Sequence, residues 1–162
     1  MDGFSTRTGT FPPPCERTCV VSFTTARQQR LFSQPELARA ACRAMTERQI
    51  WYRARLLAWV LMPDAWHGLI ALGRMDQMSM VVHRLKTHSA RRIRQEGTGV
   101  VQVWDAGFME HPLRDAVSAR GVACRMLERP RRAGLAKGAA DYPYWDSQWL
   151  PSPDGGMAAM AG

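Results

Sequence analysis

The chain has 162 residues and a mass of 18.2 kDa, with 22 basic against 14 acidic residues, a net charge of +8 and a pI near 10.2. That length serves one domain, and a hydrophobic fraction of 46% excludes a charge-dominated disordered chain. No apolar run approaches the roughly 20 residues of a bilayer span, so no membrane-spanning helix is expected.

Residues 1–16 read as a flexible leader rich in Gly, Thr and Pro, without the apolar stretch of a secretion signal. Cys15 and Cys19 resemble half of a zinc pair, but no second close pair exists. Scattered reduced thiols are therefore expected. Val20–Thr24 favours a strand. Ser33, Pro35 and Glu36 have the spacing of a capping box, so a helix is expected from there to about Arg48, burying Leu37, Ala40, Ala41, Ala44 and Met45. Arg55–Met62 and His67–Leu72 read as paired strands reversing at Pro63, Asp64 and Ala65. Gln77–Gln95 is an amphipathic helix with Met78, Val81, Val82, Leu85 and Ile93 on one stripe.

Val100–Trp104 reads as a short strand and Phe108–Leu113 as a further extended segment. A third helix is expected over Asp115–Arg129, burying Ala116, Ala119, Val122, Ala123, Met126 and Leu127 and ended by Pro130. A shorter helical piece to about Ala139, an aromatic block at Tyr142, Tyr144, Trp145 and Trp149, and a disordered tail over residues 151–162 complete the chain. The element order implies an α+β domain, an antiparallel-dominated sheet covered by helices.

Charge placement points to a polyanion. Only Lys86 and Lys137 are lysine; every other basic residue is arginine, whose fork matches phosphate. Arg84, Lys86, Arg91, Arg92 and Arg94 cluster without an acid, and Arg120, Arg125, Arg129, Arg131, Arg132 and Lys137 form a second cluster with Glu128 alone among them. Two such segments attract nucleic acid; two solvated helix faces are the alternative.

The ordered set of segments resembles the REP-associated tyrosine transposases, relatives of the insertion-sequence-200-like enzymes. The resemblance rests on Ala58–His67, on Phe23–Thr25 and Arg30–Phe32, and on Leu85–Ile93. It continues through Val103–Phe108, Leu113–Asp115, Pro130–Leu135, Asp141–Trp145 and Trp149, covering roughly residues 18–150. It implies a ferredoxin-like antiparallel sheet with helices packed on one face, in a DNA-binding domain over residues 17–150. It implies hairpin or single-stranded DNA as partner, no membrane partner, and a cytoplasmic, nucleoid-associated location; a homodimer stays open. Arg7, Thr8 and Thr10 of the leader are candidates for touching a DNA stem.

Family members cut DNA with a tyrosine nucleophile and a divalent metal held by two histidines at i and i+2 of a strand, positions that share a face. Here Ala65 stands at the first histidine position and only His67 remains. Asp64 is a weak candidate for a second metal ligand. Mg²⁺ or Mn²⁺ is the implied cofactor if the copy is active, and none otherwise. Arg125 falls at the tyrosine position, where a guanidinium can contact phosphate but not attack it, and Arg129 at the family's asparagine. The chain contains no asparagine. Tyr142 and Tyr144 are the substitute nucleophiles to weigh.

The resemblance therefore implies a binder of repetitive extragenic DNA with impaired or absent cleavage, in which Arg84, Lys86, Arg91, Arg92, Arg94, Arg129, Arg131 and Arg132 contact phosphates. The alternatives are an active nuclease with a rearranged site and a non-functional remnant.

Overall fold

The computed structural model describes residues 16–73, 75–97, 99–114 and 118–150. The expected leader (apart from Glu16), with Arg7, Thr8, Thr10 and Cys15, and the expected tail lie outside the described residues.

The strands are β1 (Glu16–Thr24), β2 (Ala54–Met62), β3 (Ala65–Gly73), β4 (Met109–Pro112) and β5 (Trp145–Ser147). They form one antiparallel sheet in the order β4-β1-β3-β2-β5. The helices are α1 (Pro35–Met45), α2 (Met78–Gln95), α3 (Ala119–Met126) and the single turn α4 (Arg129–Arg132). The chain order β1-α1-β2-β3-α2-β4 with β1 and β3 central is the ferredoxin-like arrangement, extended at one edge by β5.

Strand alternation sorts the sheet into two faces. The first carries Cys19, Val21, Phe23, Leu61, Trp66, Ile70 and Leu72 and is covered by α1 through Leu37, Ala38, Ala41 and Met45 and by α2 through Met78, Val81, Val82, Leu85 and Ile93. The second carries Leu57, Val60, Leu69 and Ala71 and is covered by Ala123, Met126 and Leu127 with Tyr142 and Trp145. The expectation of helices on one face holds for α1 and α2, whereas α3 lies on the other. A bulge between Leu56 and Ala58 shifts the alternation of β2, so that both Leu57 and Ala58 join the second face.

Trp66 anchors the register of β3. Its ring stacks on Phe23 at 5.3 Å and lies across Gly68, where an added Cβ would come within 2.2 Å of the indole. Glycine at 68 is what lets the indole lie flat on the strand.

Several local expectations are corrected. Helix α1 ends at Met45, and Gln34, not Ser33, precedes it without a side-chain cap; Ser33 closes a 3-10 turn over Leu31–Ser33. Val100–Trp104 forms no strand: Trp104 makes a single bridge to Thr25, and its indole N–H donates to the Ser89 hydroxyl at 2.9 Å, drawing the segment onto α2. The third helix does not run to Arg129. Ser118 caps it by accepting from the Gly121 amide, and after Leu127 the chain restarts as α4 with Pro130 in its first turn. Proline has no N–H with which to continue the α3 ladder, but its fixed φ suits a new start. The aromatic block supplies β5, because Trp145–Ser147 pairs with Ala58–Val60.

Candidate nucleic-acid interface

His67 lies on β3 between Ser22 of β1 and Val60 of β2, on the face covered by α3. Ala65, two residues before it, shares that face and presents a methyl group. The Nδ1 atom of His67 is buried without a hydrogen-bond partner among the described residues. Burial first, and the positive charge of Arg129 second, push the imidazole pKa down to about 4, so the ring is neutral at pH 7.

Arg129 opens α4 and is solvent-exposed. Partial burial lowers its own pKa, and the nearby Arg132 adds to this. Arg131 differs, since its Nε donates to Glu128 at 2.6 Å. The guanidinium whose charge acts on His67 is that of Arg129. Arg125 lies in the last turn of α3, and its Nη1 folds back to within 3.9 Å of the position a Gly121 Cβ would take. Sequence reading named Arg129 as a phosphate contact without placing it beside His67; the usable signal was Pro130, which opens a helix instead of closing one.

Of the two substitute tyrosines, Tyr142 has its hydroxyl engaged within the fold. Tyr142 is buried and its hydroxyl donates to the Leu61 carbonyl at 2.6 Å, with its pKa raised chiefly by burial. Tyr144 is half-buried, its pKa also raised by burial, and its carbonyl accepts from the Leu61 amide at 2.8 Å. The Leu61–Tyr144 backbone bond continues the β5–β2 pairing. Asp64 sits in the β2–β3 turn, where its carbonyl accepts from the Thr25 amide at 2.9 Å.

The seat does not fit Mg²⁺ or Mn²⁺, which take several oxygen ligands. It presents one imidazole, one methyl group and a guanidinium. A divalent ion even about 10 Å from that guanidinium would meet roughly 3 kcal/mol of repulsion at an effective dielectric constant of about 20.

The depressed pKa of His67 sets a stability dependence. Between pH 6.5 and about 4 the unfolded chain binds the proton and the folded chain does not. This contribution is complete above pH 6.5 and is lost as pH falls through that window, by at most roughly 3 kcal/mol. Urea midpoints are expected to fall more steeply on acidification in the wild type than in His67→Gln; parallel curves would contradict the placement of His67.

The family model for IS200-like transposases matches residues 18–116, more than half of the chain. The chain belongs to the IS200-like transposase family. A REP-associated tyrosine transposase solved with a REP hairpin is similar in fold, with a TM-score of 0.60 and 22% identity over 80% of this chain and 75% of its own. A candidate transposase of Deinococcus radiodurans is similar at 18% identity over 78% of this chain and 94% of its own, with a TM-score of 0.46. No curated protein matches the chain.

In this IS200-like transposase chain the two basic segments occupy opposite faces of the sheet, α2 on the first and α3–α4 on the second. Much of the α2 charge is engaged within the fold. The Lys86 ammonium donates to the Asp105 and Gly107 carbonyls at 2.7 and 2.6 Å and lies over the Phe23 ring. Arg92 pairs with Glu47 at 2.7 Å, Arg94 donates to the Val101 carbonyl, and Arg84 stacks on Tyr52. Among the described residues, no helix is long and apolar enough to cross a membrane.

Proposed function

We propose that this IS200-like chain binds hairpin or single-stranded DNA, of the repetitive extragenic type, through the face carrying His67, and does not carry out tyrosine-dependent strand cleavage. The observation that supports this best is the exchange of chemistry that the resemblance implies: a methyl group, Ala65, stands where the second imidazole is expected and guanidiniums, Arg125 and Arg129, where a tyrosine and an asparagine are, while the Tyr142 phenol is bonded to Leu61. Arginine holds phosphate and cannot form a phosphotyrosyl link. The fold likeness to a transposase solved with a REP hairpin is consistent with that ligand class.

The reading predicts tighter binding to a hairpin oligonucleotide with a single-stranded flank than to unrelated duplex of equal length, by at least about tenfold at ~150 mM salt. Fluorescence anisotropy across a salt series measures it. Equal affinity for both would leave only non-specific attraction and would favour a remnant without a DNA role.

A further inference from the structure

The misfit of the His67 seat with a divalent metal coincides with a charge imbalance. Met126 and Leu127 bury against the sheet in the same cluster as Val60 and Leu69. Val60 is the register partner of His67, and Leu69 lies two residues beyond it on the same face. The chain leaving Leu127, itself buried in that cluster, starts α4 two residues later with Arg129.

Arg129 and Arg132 are three apart on α4, so their side chains are neighbours of like charge. Neither has a carboxylate partner among the described residues, whereas Arg131 takes Glu128. The charge of Arg129 acts on His67, whose buried Nδ1 has no partner among the described residues. Two neighbouring forks without carboxylate partners, one of them acting on an unsatisfied imidazole, fit an anion with several acceptor oxygens.

We infer that Arg129, backed by Arg132, stands in for the divalent cation at the His67 seat, so that this chain holds a DNA phosphate there without metal. This rests on the DNA-binding reading above and adds to it the identity of the resident positive charge. Arg129 supplies a fixed fork, and Arg132 raises the local potential. No bond is made or broken at the phosphate.

The test measures hairpin affinity with excess EDTA and with Mn²⁺, for the wild type, Arg129→Gln, Arg129→Lys and Arg132→Gln. Wild-type affinity is expected to agree within about twofold between the two conditions. Arg129→Gln should lose about tenfold and reduce the salt slope by about one, and Arg129→Lys should recover part of both. A loss in EDTA restored by Mn²⁺, or an unchanged affinity and slope in Arg129→Gln, overturns the inference while leaving DNA binding intact. Thermal shift with inorganic phosphate in EDTA is the second measurement. A Tm rise seen in the wild type and absent in Arg129→Gln supports the seat even if hairpin affinity is lacking, in which case the DNA-binding reading alone fails. No Tm rise in the wild type together with no hairpin affinity overturns both.

Discussion

Incubating the wild-type protein with a 5′-labelled hairpin and Mn²⁺ is expected to give a shifted band on a native gel and no covalent protein–DNA adduct on a denaturing gel. The physical reason is that the resemblance places an arginine, Arg125, where the family has its tyrosine, and that the Tyr142 phenol is engaged. A nucleophile must approach the phosphorus closely and in line. The Tyr142 hydroxyl is instead buried and donates to the Leu61 carbonyl at 2.6 Å, and burial raises its pKa. Removing the nucleophile from a working covalent site costs on the order of 10⁶ in turnover, so the expected yield lies at background. The triple variant Ala65→His, Arg125→Tyr, Arg129→Asn, which follows the family pattern at all three departing positions, should move adduct formation above background. A metal-dependent wild-type adduct that Tyr142→Phe or Tyr144→Phe abolishes would establish a rearranged active site and end the binder reading.

The second large effect is structural. Trp66→Ala is expected to destabilise the domain by about 3–5 kcal/mol, a large fraction of the roughly 5–15 kcal/mol that holds a domain folded. Trp66 is 1% exposed, stacks on Phe23, and fills the space over Gly68. Phe23 in turn meets Trp104 edge-on at 4.8 Å, so the cavity would loosen β1, β3 and the loop held on α2 together. Trp66→Phe should cost much less. It keeps a ring in place and removes an indole N–H that has no hydrogen-bond partner among the described residues. Chemical denaturation of both variants checks the contrast. Equal losses would show that the ring itself is not what matters. The consequence reaches the site, because Trp66 and His67 point to opposite faces, and a strand that lost the Trp66 anchor would lose its hold on where the imidazole faces.

Much of this fold was legible residue by residue. The β2–β3 hairpin and α2 follow from periodicity and a proline-marked turn, and each arose within two or three residues of its expected ends. Local chemistry suffices there, since a stripe of Met78, Val81, Val82 and Leu85 admits only one helix face toward a core.

The bulge at Leu57 was hidden by a continuous apolar run, which carries no period when both faces of a strand are buried. The short β5 has its meaning only against β2, whose edge it satisfies. The sequence by itself determined the α+β class and the family. Tertiary structure alone decided that the two basic segments part to opposite faces and that the charge of Arg129 acts on His67. Those outcomes depend on which face of the sheet each helix buries and on where α3 breaks before Pro130, and both are set by packing between segments remote in the chain.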